Sequence, residues 1–453
     1  LSTAAVKAHA ADGPRILGFW MCSSLVVGNI IGVGIFSMPA NLAPYGLNAL
    51  TGWVVNVIGC VFLALSFAAL ARAFPRDDGP SAYITRAFGK GAAFFAMWCY
   101  WVSICIGNAA IATGLVGYVA VFVHALAHTA GLPAVTALAV TWMFILINLM
   151  GARTAAWVQL VTTVLKLLPQ LAVIVLGLWL LLTDPALYAA HVPANPSSWR
   201  EVSSVSTLAL FAMLGIECAM IPASRVRDPQ RTIPRATIAG TLVTAVIYIG
   251  VSVVPMFLIP QQELAASSAP FAELFTRELG GRYGAVLAGF VTISGLGVLN
   301  GWTLMAGEVA QAMSRHGGFP PALSRENAHG APARALLLTG ILISVALLIN
   351  YTDSIAKAFG LLIVIATGAT LPLYFGSTLA LIVLRRRAQL PATLARPRLP
   401  LVAAVAAVLY CIWASIGIGS EPLLWLLVLG GAGLPVYLWS AHVHRRGALP
   451  EAA

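Results

Sequence analysis

The stretch VVGNIIGVGIFSMPANL, Val26 to Leu42, lies inside a strongly apolar run long enough to cross a bilayer as a helix. Gly28, Gly32 and Gly34 crowd its middle, where each glycine weakens a helix by roughly 0.5–1 kcal/mol relative to alanine. Two readings are open. Gly28 and Gly32 make a GxxxG face on which another helix can pack closely. Alternatively the helix unwinds there and exposes N–H groups and carbonyls at mid-membrane. Such backbone is tolerated only against protein or a water-filled cavity. N–H groups at the start of a half-helix suit a carboxylate. Asn29 favours the second reading, because an amide beside the glycines needs a polar partner in apolar surroundings.

The rest of the chain is of the same kind. Its 453 residues are 60% hydrophobic and 9% charged, with mean hydropathy +0.90, whereas about 25% charged residues is ordinary for a soluble domain. Charge-poor runs recur along the whole length, which predicts an all-α polytopic membrane protein. Twelve spans are expected, at 16–43, 50–72, 91–123, 134–150, 156–182, 203–222, 236–260, 285–314, 334–351, 355–384, 399–418 and 422–441. Several exceed the ~20 residues a bilayer requires and must tilt, kink or project. No long polar stretch separates the halves, so one membrane domain is expected, flanked by polar segments at 1–15 and 442–453. Leu1 to Gly13 is short and mixed, without a signal-peptide core or cleavage site.

Lysines and arginines set the orientation. With the N-terminus inside, 21 of the 26 fall in inner segments, four (Arg200, Arg277, Arg282, Lys357) in outer ones, and Lys166 within a span. A bias of this size supports an even number of spans and cytoplasmic termini. The net charge of +11 then reflects inner loops beside anionic lipid and gives no reason to expect nucleic acid. The six cysteines all fall in apolar runs, with neither metal-ligand spacing nor a disulfide framework, and read as small packing residues. There is no P-loop, GxSxG, HExxH or paired CxxC, and no TVGYG filter. An enzyme, an ATP-driven pump and a potassium-type channel are therefore not expected, and nothing calls for a cofactor.

An internal echo suggests a repeat. GIFSMPA (Gly34–Ala40) ends span one, and GIECAMIPA (Gly215–Ala223) ends span six, which runs in the opposite direction. Two five-span inverted repeats, each opening on an interrupted helix, have this form and place a transport site at the interruptions.

Six further residues are candidates for chemistry. Glu217 is the only acidic residue of span six, so it should face the interior and be protonated or hydrogen-bonded, as a proton site, a gate or a helix-to-helix bond. Lys166 sits about ten residues into span five, too deep for easy snorkelling. It reads as a proton-exchanging amine, a fixed cation, or a strut on broken-helix carbonyls. Asn108, next to Gly107 in span three, either bonds between helices or faces substrate. Trp302 lies well inside span eight, away from the interfacial belt, where stacking on substrate, gating or holding a cation are open to it. His124 and His128, near the outer end of span three, lack a third ligand and read as interfacial residues, with no metal expected.

GNIIGVGIF (Gly28–Phe36), YWVSICIGNAA (Tyr100–Ala110), GIECAMIPASRVRDPQRTIPRA (Gly215–Ala236) and NGWTLMAGEVAQAMSRHGGFP (Asn300–Pro320) resemble the amino acid–polyamine–organocation family, most of all its bacterial arginine/agmatine antiporter branch. The likeness runs over nearly the whole chain. It implies the LeuT-type fold, with a transport core at 16–384 built of repeats 16–182 and 203–384, a terminal helix pair at 399–441, and often a homodimer. It implies a substrate carboxylate on the backbone around Asn29, Ile30, Gly32, Val33 and Gly34, and an α-amine on span-six carbonyls near Phe211 and Leu214. Ser103, Ile104, Asn108 and Ala366 would lie along the substrate side chain. Trp302 would be a middle gate, Phe211 an outer gate, and Tyr100, Glu217 and Tyr374 an inner gate.

Three positions depart from that branch. Val33 stands where it has serine, so a hydroxyl donor to the carboxylate is missing. Phe211 stands for a tryptophan. Lys166 is absent from that branch but resembles a lysine of the light-chain-type exchangers, where the amine takes the place of a sodium ion; sodium independence follows. The expected function is a sodium-independent exchanger of cationic amino acids or their amines in a bacterial inner membrane. Alternatives are exchange of neutral amino acids, favoured by Val33, Ile104 and Lys166, and proton-coupled symport. A sensor or channel on the same fold is the rival of another class. The absence of an appended soluble domain speaks against the first and two interrupted helices against the second.

Overall fold

The computed structural model describes residues 18–32, 34–74, 79–129, 131–150, 165–193, 195–217, 226–349, 354–391, 394 and 397–447. Among them the regular structure is helical, without strands. Span one is a helix pair, α1 (Phe19–Ile30) and α2 (Gly34–Leu42), and span two is α3 (Asn48–Ala73). A short α4 (Pro80–Phe88) leads to span three, α5 (Lys90–Val119). After α6 (Ala125–His128) come span four, α7 (Leu132–Leu149), and the described part of span five, α8 (Leu167–Thr183). The short α9 (Ala186–Ala190) precedes α10 (Trp199–Ala212), which opens span six. Span seven is α11 (Pro229–Leu258), and α12 (Gln261–Ala266) and α13 (Pro270–Leu279) connect it to span eight, α14 (Gly281–Arg315). Spans nine to eleven are α15 (Ala333–Ile349), α16 (Ile355–Arg386) and α17 (Leu399–Ile416). Span twelve is a pair, α18 (Ser420–Gly431) and α19 (Gly433–Gly447).

Eight of these spans are long and apolar enough to cross a membrane among the described residues; spans one, five, six and nine are shorter or interrupted. The twelve helical segments follow the order that hydropathy predicts. The connecting helices α4, α6, α9, α12 and α13 were not predicted. They are short and mixed in composition, so a search for long apolar runs passes over them. The helix α13 is typical: it starts on Pro270, buries Phe271 and Leu274, and anchors Arg277 on Glu263 at 2.8 Å.

Packing divides the spans into two groups. α3 packs on α10 and α11, and α1 on α11; α5, α7, α14 and α15 form the second group, and α16 bridges the two, lying on α5 and also on α10 and α3. Spans three and ten, α5 and α16, make the most extensive helix pair. The most apolar 18 residues of α5 are 89% buried within the protein, against 11% for those of span twelve. Span three is thus the inner post, and span twelve faces outward. The site lies where the first group meets this post.

Candidate functional site

The interruption of span one is present. α1 stops at Ile30, Ile31 turns extended (φ −69°, ψ 99°), and the helix resumes at Gly34. A helix end leaves its last carbonyls without N–H partners. Two side chains from other spans fill that need. Tyr248 of α11 donates its hydroxyl to the Ile30 carbonyl at 2.9 Å, and Lys166, at the start of α8, donates its amine to the Gly28 carbonyl. A cation also suits the negative end of a helix. Both side chains are buried. On the far side of the gap, the first N–H groups of α2 have no partner within their own helix.

Span six breaks as well, across a cleft from span one. α10 ends at Ala212, and Gly215 takes φ +106°, a conformation glycine adopts at little cost. The cleft is small and lies between the two breaks, lined by Ile30, Gly32, Gly34, Ile35, Gly107, Ile111, Phe211, Ala212, Leu214, Tyr248 and Trp302. Gly34 allows the close approach that shapes it: a Cβ there would meet the Phe211 ring at 2.7 Å. The Phe359 ring stands edge-on to Phe211, with centroids 6.3 Å apart.

On span three, Tyr100 lies two helical turns before Gly107. Its hydroxyl donates to one oxygen of Glu217 at 2.6 Å, and the Tyr374 hydroxyl of α16 donates to the other at 2.6 Å. Glu217 is 1% exposed, and these two phenols hold its carboxylate from both sides. The contact joins the broken part of span six to the pair of spans three and ten.

Of the residues expected at the site, Ile30, Gly32, Gly34, Phe211, Leu214 and Trp302 line the cleft, Trp302 being half-buried. Ser103, Ile104, Asn108 and Ala366 do not line it. Asn108 turns its amide back to the Ile104 carbonyl at 2.9 Å and accepts from the Thr303 hydroxyl at 3.3 Å. Ser103 bonds across to α16, at 2.6 Å from both the Ala366 carbonyl and the Thr370 hydroxyl. Val33 and the Asn29 side chain lie outside the described residues, as does Cys218; the other five cysteines are free and buried. His124 and His128 are exposed, and no group of three metal-ligating side chains occurs among the described residues.

Sequence reasoning missed Tyr248, Gly107, Ile35, Ile111 and Ala212. Tyr248 did leave a signal: a tyrosine in the middle of an apolar span, far from the interfacial belt, needs a partner for its hydroxyl. The others are small or aliphatic and indistinguishable from packing residues.

Residues 17–433 match the amino acid permease family. The chain is 32% identical to a cadaverine/lysine antiporter of Escherichia coli over 380 residues, covering 81% of this chain and 83% of that one. It is 30% identical to the putrescine transporter PotE of Escherichia coli over 423 residues, 93% of this chain and 95% of that one. A putative arginine/ornithine antiporter of Bacillus subtilis is 30% identical over 391 residues, 80% and 83% of the two chains. These relatives are membrane transporters, not enzymes.

Proposed function

The chain belongs to the amino acid permease family, and we propose that it is a sodium-independent exchanger of cationic amino acids and their decarboxylated amines, working by alternating access. The relatives named for cadaverine and lysine, putrescine, and arginine and ornithine support this class of substrate. The observation that carries the reading is the broken first span beside the cleft, with its orphan carbonyls taken by Tyr248 and Lys166. What remains facing the cleft is the N-terminal end of α2, suited to a carboxylate. An amino acid would place its carboxylate there, on the backbone from Asn29 to Gly34, and its α-amine toward Phe211 and Leu214. An amine without a carboxylate would leave that cradle empty and rely on the rest of the cleft, with Trp302 as its cation-holding face.

Tyr100, Glu217 and Tyr374 would close the cytoplasmic side, Phe211 the outer side, and Trp302 the middle. The lysine amine on the Gly28 carbonyl occupies a place where a helix end attracts a cation, which supports sodium independence. The transport core would span 16–384, with repeats 16–182 and 203–384, followed by the helix pair 399–441, with both termini in the cytoplasm and a bacterial inner membrane around it.

One observation favours a second reading. The described lining of the cleft has no acidic side chain and includes Ile35, Ile111 and Leu214, which would suit a neutral amino acid. A single uptake panel separates the two: the purified protein in liposomes, offered the twenty amino acids and the common amines, with choline in place of sodium. Uptake of lysine, arginine, ornithine, cadaverine or putrescine is the expected result. Uptake confined to neutral amino acids would replace the first reading by the second.

A further inference from the structure

Ser103 and Thr370 face each other across the buried seam of α5 and α16, and both are almost fully excluded from solvent. The two hydroxyls are 2.6 Å apart, and both reach the Ala366 carbonyl, Ser103 at 2.6 Å and Thr370 at 3.1 Å. Their place along the helices matters. Ser103 is three residues after Tyr100 and Thr370 four before Tyr374, so each lies on the same helix face as the tyrosine, one turn away. The rise of about 1.5 Å per residue puts the hydroxyl cluster roughly 4.5–6 Å from the tyrosine level. Tyr100 and Tyr374 each use their hydroxyl on a different oxygen of the same carboxylate, Glu217, at 2.6 Å. That grip demands a fixed separation between spans three and ten at this level.

Span ten is poorly built to hold that separation by itself. Pro372 lies inside α16, so its nitrogen cannot donate to the Gly368 carbonyl, and the ring strains the turn before it. Gly368 adds backbone freedom to the same turn. Thr370 sits in the middle of this weak turn, and Tyr374 rides on the segment beyond it. Spans three and ten pack extensively along their length; at this turn the tie to span three is made through Ser103.

We propose that Ser103 and Thr370 form a clasp that bridges the proline turn of span ten and positions Tyr100 and Tyr374 as a pair for the Glu217 carboxylate. Both are positioning residues of the cytoplasmic latch, and Ser103 serves the latch instead of touching substrate. The inference rests on the exchanger reading above, in which Glu217 closes the inner side.

The test is a set of single variants in proteoliposomes, each measured for KM and maximal exchange rate. Tyr374→Phe gauges the latch itself and is expected to slow exchange. Thr370→Val keeps the shape, removes the hydroxyl and leaves buried groups unsatisfied. It is expected to slow exchange by roughly tenfold, with KM changed less than about twofold. Thr370→Ser restores the hydroxyl and should restore the rate. Ser103→Ala, the smaller change, should follow Thr370→Val and covers the case in which that variant is not produced intact. A higher KM at an unchanged rate in Thr370→Val or Ser103→Ala would make these residues substrate contacts and overturn the proposal. Wild-type exchange in both, beside a slowed Tyr374→Phe, would overturn the clasp and leave the latch standing. Wild-type exchange in Tyr374→Phe would remove the latch, and the clasp with it.

Discussion

Replacing Tyr248 by phenylalanine takes one hydroxyl from the end of α1 and leaves the ring in place. That hydroxyl is the donor to the Ile30 carbonyl at 2.9 Å, and Tyr248 is fully buried. Leaving a buried acceptor unsatisfied costs about 1–3 kcal/mol. Tyr248 borders the cleft, so water entering from the cleft can replace part of the bond, and the lower end of the range applies. A loss of about 1.4 kcal/mol is a tenfold change in an equilibrium constant. The cost falls on the order of the gap between α1 and α2, and only a substrate with a carboxylate uses that gap. In proteoliposomes, KM for lysine should rise roughly five- to tenfold, whereas KM for cadaverine should change less than about twofold. An equal rise for both substrates would reduce Tyr248 to a general support of the fold. No rise for either would refute the claim that this hydroxyl orders the carboxylate cradle.

Other substitutions probe the neighbouring contacts. Lys166→Met leaves the Gly28 carbonyl without its buried donor and should lower uptake by at least about tenfold, while wild-type uptake stays the same when choline replaces sodium; a large loss in choline would contradict the role given to the amine. Gly34→Ala sets a methyl 2.7 Å from the Phe211 ring, an overpacking worth about 1–3 kcal/mol. It should abolish the rise in melting temperature that substrate gives the wild type. Tyr410→Phe removes a 2.5 Å bond to the Asn56 side chain between spans eleven and two, away from the cleft. It should lower stability by about 1–3 kcal/mol and leave KM unchanged, as read by thermal unfolding and uptake side by side.

The parts of the fold that depend on local composition were legible in the sequence. Runs of apolar residues marked the spans, and Gly32 and Gly34 marked the interruption of the first one, because a bilayer punishes any backbone that is neither helical nor sheltered. Glu217 could be singled out as the lone acid of span six. What could not be read was which distant group each of these meets. The Ile30 carbonyl finds Tyr248, 218 residues away, and Glu217 finds Tyr100 and Tyr374 on two other spans. Asn108 shows the opposite difficulty. Its amide was open to a helix-to-helix bond or a substrate contact, and in the structure it donates within span three and accepts from Thr303 of span eight, a choice that composition alone does not make. The resemblance to a known family suggested the Tyr100–Glu217–Tyr374 set. It did not suggest Thr370, whose part emerges only from the packing of span ten on span three.

Counter-flow tests the central claim most directly. Liposomes containing the purified protein are loaded with unlabelled lysine or left empty, and labelled lysine is supplied outside in sodium-free buffer. An exchanger fills the loaded vesicles and leaves the empty ones near background. Equal uptake into both would contradict exchange and point to a uniporter or a proton-coupled symporter on the same fold.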